Sequence, residues 1–457
     1  MSTAIALQQQ VEDPSSGHVN TLTKEQASLL RDCWAVTFIL QGITTDDIPE
    51  IKQNNANVSS NFTVNGRHGK KNKEQKEQNV IETFSKYSKM ARKMREDKSA
   101  SNASRTVSNG SNRSNDKYNE SSEFLSALVL YTPEELHRAA WKIIAADDPD
   151  VILLRFLRAR KWDVEKAIIM YISTLKWMLQ TNVRYIVEGG EEGLEKYFAG
   201  KDLEGLKHQF TSGKSFARGT DKDGRPICYV NVRYHKKDDQ SFEVLQKYTI
   251  YIMETTRLMM EAPVETGCLV FNMAGFTISN MDFQYVKFII QCFESYYPES
   301  LGILIIHKAP WVFGGLWKMI SPLLDPVVAS KVRFTQNEKE ILQLIPSKHL
   351  IADLGGEDNW KYEYVPPKEN ENYRMKDEVT KKQMLEKRHS LECDFEKLTK
   401  QWLSEPDNEQ IKNERNQMKI QLRKAQLDLD PYIRARTYYD RIGVLREDGS
   451  CDWGLGQ

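Results

Sequence analysis

The sequence predicts an α/β protein, with a parallel or mixed sheet, covering helices and a helical subdomain before it. From residue 214 onward, short apolar strand-like runs alternate with helical periods, which argues for βαβ units. Between 132 and 179, helical segments with start signals follow one another without strands. In 301–331 an apolar run leads through Ala309-Pro310 into a segment carrying Trp311, Phe313, Gly314, Gly315 and Trp317. Paired glycines between greasy helical pieces read as the hinge of a cover over something apolar.

The elements follow in order. Residues 23–40 read as an amphipathic helix on Leu29, Leu30, Trp34, Phe38 and Ile39. The tract 46–122 is rich in Asn, Ser and Lys and is expected to be a disordered basic insert, with a short basic helix over 80–94. Thr132-Pro133-Glu134-Glu135 is a capping box with proline at the first helical position. Helices are expected over 150–160 and 163–179. Strands are expected over 226–232, 268–273 and 301–306, with 349–354 as a closing strand; helices are expected over 242–260 and 281–296. Asp325-Pro326 opens a further helix. Beyond residue 364 the chain is charged, with helix-prone stretches over 377–402 and 413–427. The domains expected are 1–45, a helical segment; 46–122, the insert; 123–190, a helical subdomain; 191–360, the sheet domain; and 361–457, a charged helical extension.

Composition excludes several classes. Lysine plus arginine equals aspartate plus glutamate, 64 each in 457 residues, so no global charge directs the chain to nucleic acid. The six cysteines, Cys33, Cys228, Cys268, Cys292, Cys393 and Cys451, form no CxxC and no zinc spacing, and read as reduced thiols. No metal is expected. The first residues have neither the basic flank nor the apolar core of a signal peptide, and no apolar run is long enough to span a bilayer. The sequons at Asn57, Asn61, Asn102, Asn109, Asn112 and Asn119 are read as accidents of an Asn/Ser-rich tract.

Ser212-Gly213-Lys214-Ser215 resembles the end of a phosphate loop, but His208 stands where the motif needs glycine, and 205–211 is not strand-like. There is no G-x-S-x-G or H-E-x-x-H, and His307 and His349 read as structural, so no enzyme is expected. Arg160 and Lys161 end a helix whose apolar face is Ile152, Leu153, Phe156 and Leu157; taken alone they are cations favoured by the helix dipole. Glu299, after Tyr297-Pro298, reads alone as a surface carboxylate.

YPESLG (297–302), the strand that follows, HKAP (307–310) and LDPVVASKV (324–332) resemble the carboxy-terminal half of a CRAL-TRIO lipid-binding domain of the fungal phosphatidylinositol-transfer family. DPDVILLRFLRARKWDVEKA (148–167) is similar to the helical segment before the lipid pocket in that family, and the likeness covers roughly 130–358. It implies a mixed, mostly parallel sheet floor, covering helices and a gating helix. It also implies that Arg160, Lys161, Glu299 and Lys331 are lipid-binding: cations on the headgroup phosphate, the carboxylate on inositol hydroxyls.

One half of the family pattern is missing. Members that also exchange phosphatidylcholine carry a Ser-x-Thr pair on the central strand, where this chain has Gly267-Cys268-Leu269. The resemblance is therefore to the divergent members without that site, with a sterol precursor such as squalene as candidate second ligand. The expected protein is a monomer without cofactor beyond bound phosphatidylinositol. It would exchange or present lipid at cytoplasmic membrane surfaces of endosome, Golgi or endoplasmic reticulum, regulating phospholipid metabolism and trafficking. The alternative is a non-enzymatic scaffold working through the insert and the C-terminal helices.

Overall fold

The computed structural model describes residues 17–43, 71–96 and 116–455. They fall into two compact units: one drawn from Met1–Arg138, Asp147–Ser173 and Lys397–Asn413, the other from Ala139–Ala146, Thr174–Glu396 and Glu414–Gln457.

The first unit is helical. Helix α1 (Lys24–Leu40) starts on a capping box: Thr23 Oγ1 accepts from the Gln26 amide at 3.1 Å, and Gln26 Oε1 accepts from the Thr23 amide at 2.9 Å. Helix α2 (Lys71–Glu96) contains the short basic helix expected over 80–94 and extends it, which corrects the expectation of disorder over its length. Its polar composition hides a stripe of Phe84, Tyr87 and Ala91 at helical spacing; Phe84 and Ala91 are buried. Phe84 packs edge-on against Phe124 of α3 (Glu120–Leu130) at 5.7 Å, and Tyr87 does so at 5.5 Å. The rest of the expected insert, and all the sequons but Asn119, lie outside the described residues.

Helix α4 (Pro133–Ile144) begins with the predicted box, Glu135 and Thr132 exchanging bonds of 2.8 and 3.2 Å. Asp148 caps α5 (Pro149–Ala159), and Asp163 caps α6 (Val164–Thr181), accepting from the Lys166 amide at 3.1 Å. Arg155 of α5 is buried. The buried Trp34 indole donates to Asp150 at 2.8 Å.

The second unit opens with two helices absent from the sequence expectation, α7 (Val183–Phe198) and α8 (Leu203–Thr211). It then builds a five-stranded sheet in the order β1 (Ser215–Thr220), β2 (Pro226–Asn231), β3 (Gly267–Asn272), β4 (Leu301–His307), β5 (Val332–Thr335). Strand β1 is antiparallel to β2 and every other pair is parallel, so the sheet is mixed and mostly parallel. The crossovers run through α9 (Phe242–Leu258), through α10 (Phe283–Gln291), and through α11 (Phe313–Ile320) and α12 (Pro326–Ser330). The helix expected over 281–296 ends as a π-helical turn, Cys292–Tyr296.

The closing strand is β5. Residues 349–354 form short turns instead, after α13 (Glu338–Ile341). Leu350, Ile351 and Leu354 are all buried in one cluster with Phe216, Ile227, Val270 and Ile305 of the sheet. A strand alternates its faces and could not bury all three.

The C-terminal region is not a separate extension. After α14 (Glu378–Ser404) and α15 (Glu409–Ile433), the last segment with α16 (Tyr438–Arg441) packs Tyr438, Tyr439, Val444, Leu445 and Trp453 against Ala217 and Met259. Tyr439 Oη accepts from the Ala217 amide of edge strand β1 at 2.5 Å. Residues 139–146 and 414–457 therefore belong with the sheet, not with the sequence boundaries at 190 and 360. No helix among the described residues is long and apolar enough to cross a membrane.

Candidate functional site

In the sheet unit the apolar surface is unevenly covered. Strand β3 is paired on both sides, yet it alternates half-buried Gly267, Leu269 and Phe271 with buried Cys268, Val270 and Asn272. The register sets Leu269 between Cys228 on β2 and Leu304 on β4, and Leu304 is also half-buried. Half-exposed apolar side chains along one face of a central strand make that face an apolar trough.

Helix α11 lies over that face. Its Phe313 and Ile320 are buried in a cluster with Met273, Phe276, Ile290 and Ile306, against which Phe271, Leu304 and Val332 also pack. Phe313 meets Phe276 edge-on at 5.8 Å, and Trp317 meets Phe334 edge-on at 5.2 Å. Trp311, just before the helix, is 93% exposed. Gly314 and Gly315 stand in the first turn of α11 rather than between helical pieces, and a Cβ on either would meet nothing within 4 Å. The helix is weakened by two glycines, each costing roughly 1 kcal/mol relative to alanine.

Glu299 and Lys331 are brought together. Lys331 Nζ lies 3.1 Å from Glu299 Oε2, both side chains about one-fifth exposed, at 19% and 21%. Glu299 has φ +54°, a left-handed conformation costly for a side chain with a Cβ and frequent at binding sites. It follows the π-helical turn, a second irregularity common at functional positions. Lys331 closes α12; Asp325 caps that helix, and the Asp325 amide donates to buried Glu294 at 2.6 Å. The Lys331 carbonyl accepts from the Leu304 amide at 3.0 Å, which ties the cation to a trough residue.

Arg160 and Lys161 lie in the helical unit. Arg160 is the C-cap of α5; Lys161 and Trp162 then take φ +52° and +65°. The Trp162 amide reaches back to the Leu157 carbonyl at 2.7 Å, closing the helix end. Arg160 Nη2 donates to Glu120 Oε1 at 2.5 Å, where burial raises the Glu120 pKa against the opposing pull of Arg160. Sequence reasoning missed Glu120; its only signal was an acidic residue in the first turn of a helix. It also missed Glu294.

The decoys resolve as structure. Lys214 is buried, with Nζ 3.3 Å from Gln240 Oε1 and 3.5 Å from His235 Nδ1, and desolvation lowers its pKa to about 8. His307 is fully buried, Nδ1 2.9 Å from Thr335 Oγ1, while His349 Nδ1 lies 2.8 Å from Thr220 Oγ1. Burial lifts the Cys228 thiol to about 12, which leaves it inert beside the trough.

Comparison with known proteins agrees with this architecture. The CRAL/TRIO domain profile matches residues 210–356, and the CRAL/TRIO N-terminal domain profile matches 120–173. The phosphatidylinositol transfer protein CSR1 of Eremothecium gossypii is 34% identical over 435 residues, 94% of this chain and 98% of its own. The chain belongs to the CRAL/TRIO family. A CRAL-TRIO domain-containing protein of Schizosaccharomyces pombe is 40% identical over 329 residues, 72% of each chain. The SEC14 cytosolic factor of Eremothecium gossypii is 30% identical over 224 residues, 46% of this chain and 69% of that one. Arg160 and Lys161 fall in the N-terminal segment of this CRAL/TRIO chain, and Glu299, Lys331 and the trough in the main one.

Proposed function

We propose that this protein binds phosphatidylinositol and carries it between membrane surfaces without making or breaking covalent bonds. The observation that carries the reading is the Glu299–Lys331 pair, a carboxylate and an ammonium 3.1 Å apart and joined through the Lys331 carbonyl to Leu304 of the trough. A carboxylate accepts from inositol hydroxyls, and an ammonium donates to phosphate. A choline headgroup has no hydroxyls to offer. Arg160 and Lys161 are assigned as further headgroup ligands on residue type and family position alone.

Acyl chains need cover in transit. Each methylene held from water is worth about 0.8 kcal/mol, so a two-chain lipid bare in water costs tens of kcal/mol. The trough would hold the chains and α11 would close over them, opening where Trp311 can sit in a bilayer interface. Leu269, between Cys228 and Leu304, supports an apolar second ligand such as squalene and disfavours phosphatidylcholine. The working place is the cytoplasmic face of endosome, Golgi or endoplasmic reticulum membranes, in phospholipid metabolism and trafficking.

The test is lipid extraction from the purified full chain, read by mass spectrometry, followed by transfer of labelled lipids between vesicles. Phosphatidylinositol in the extract and its transfer well above that of phosphatidylcholine are expected. A protein that carries no lipid and transfers none would leave the scaffold reading standing.

A further inference from the structure

The large apolar side chains left exposed between residues 210 and 356 lie on a few elements. Beside Trp311 and Met319 of the cover, these are Tyr234, Ile278, Phe283, Val327 and Phe334. Ile278 is 65% exposed and Phe283, at the start of α10, is 37% exposed. Such surface is costly in water unless something covers it.

The Tyr234–Ile278–Phe283 group is built rather than loose. Asn280 is buried, and its Nδ2 donates to the His235 carbonyl at 2.8 Å and to the Arg233 carbonyl at 3.3 Å, pinning the turn that carries Ile278 to the turn that carries Tyr234. Asp282 caps α10 by accepting from the Tyr285 amide at 3.0 Å. From the same turn, Phe276 reaches Phe313 of the cover. The apolar group is thus linked to α11 through Phe276 but pinned by Asn280 side-chain bonds that do not involve that helix.

Its charge also points one way. Arg233, Lys236, Lys237 and Lys287 are exposed around it, against Asp238 and Asp239, and Lys318 is exposed on α11. The Arg233 guanidinium lies 4.7 Å from the Tyr234 ring centre and donates to its hydroxyl at 2.8 Å. Amphipathic aromatics and aliphatics ringed by cations fit the headgroup boundary of an anionic bilayer.

We propose that the turn carrying Ile278, the Arg233–Tyr234 turn and the start of α10 form a fixed membrane-contact lobe for an anionic lipid surface, beside the moving lobe of Trp311 and α11. This rests on the carrier reading and deepens it: the fixed lobe keeps the protein docked while the cover opens.

The experiment is flotation of the full chain with phosphatidylcholine vesicles, with and without phosphatidylserine, for wild type, Ile278→Asp, Ile278→Asp with Phe283→Asp, Trp311→Asp, and Lys236→Ala with Lys237→Ala and Lys287→Ala. Thermal midpoint and co-purified lipid are measured alongside. The Ile278→Asp variants are expected to lose about tenfold in vesicle-bound fraction, with lipid content unchanged. The lysine variant is expected to lose only the preference for phosphatidylserine. If both Ile278→Asp variants float like wild type while Trp311→Asp does not, the fixed lobe is refuted and the carrier reading stands; the patch is then left for a protein partner. If every variant floats and transfers lipid like wild type, membrane contact through this face fails altogether.

Discussion

Arg160 donates to Glu120 at 2.5 Å, so the guanidinium assigned to a headgroup phosphate already holds an internal carboxylate. Both side chains are mostly buried, at 24% and 14% exposure. Arg160→Ala therefore removes a ligand candidate and also strands a carboxylate, which costs about 1–3 kcal/mol. Pairing it with Glu120→Gln separates the two effects. The double variant is expected to recover most of the thermal stability lost by Arg160→Ala while phosphatidylinositol transfer stays low. Glu120→Gln alone, which removes a competitor for the guanidinium, is expected to retain labelled phosphatidylinositol longer in gel filtration. Transfer at wild-type rate by the double variant would take Arg160 out of the headgroup site.

Phe84 makes α2 a structural helix. It is fully buried against Phe124, so Phe84→Ala is expected to cost about 3–5 kcal/mol in urea unfolding. A deletion spanning 50–120 removes this helix and is expected to destabilise the helical unit likewise. A Phe84→Ala midpoint within error of wild type would show that α2 is not part of the fold.

Arg441 and Glu191 anchor the C-terminal segment. Arg441 is 2% exposed and Glu191 1%, and Glu191 also accepts from Tyr251 Oη, Tyr364 Oη and the Tyr438 amide, each at 2.9 Å. Arg441→Ala leaves a buried carboxylate without its cation, at a cost of about 3–5 kcal/mol. Limited proteolysis after residue 430 should become fast in this variant. Resistance equal to wild type would mean that the segment docks without the ion pair.

The cover can be stiffened without touching the headgroup residues. A Cβ at Gly314 or Gly315 meets nothing within 4 Å, so alanine fits and adds roughly 1 kcal/mol of helix stability at each position. Gly314→Ala with Gly315→Ala is expected to keep pre-bound lipid and exchange it several-fold more slowly. Unchanged exchange would place the opening motion elsewhere.

His307 carries a pH signature. Burial, with Lys308 adding to it, pushes its pKa down to about 4 from 6.5. Between those values the unfolded chain binds more protons than the folded one, so this contribution to stability is complete above pH 6.5 and is lost as pH falls toward 4. The stability difference between wild type and His307→Asn, by urea unfolding, should shrink from pH 7 to pH 4.5. A difference independent of pH would mean that His307 titrates normally.

Local rules made part of this protein legible before any fold. The Thr132 and Asp325 caps stand where the sequence puts them, because capping depends on residues two or three apart. The three central strands, β2, β3 and β4, were equally plain as short apolar runs. Helix α2 was legible only as a short basic helix over 80–94; its full length and its packing were not, because one phenylalanine per two turns is weak periodicity until a partner such as Phe124 covers it. Strand β5 was not, because four residues on a sheet edge carry almost no pattern. The Glu299–Lys331 pair joins residues 32 apart and the Arg160–Glu120 pair residues 40 apart, and no spacing rule reaches so far. The sequence by itself determined several helix starts, the central strands and the likeness to the CRAL/TRIO family. Only the tertiary structure decided which charges already hold one another, which apolar faces stay open, and that residues 438–453 belong to the sheet unit, because burial and ion pairing are set by what the rest of the chain brings within a few ångströms.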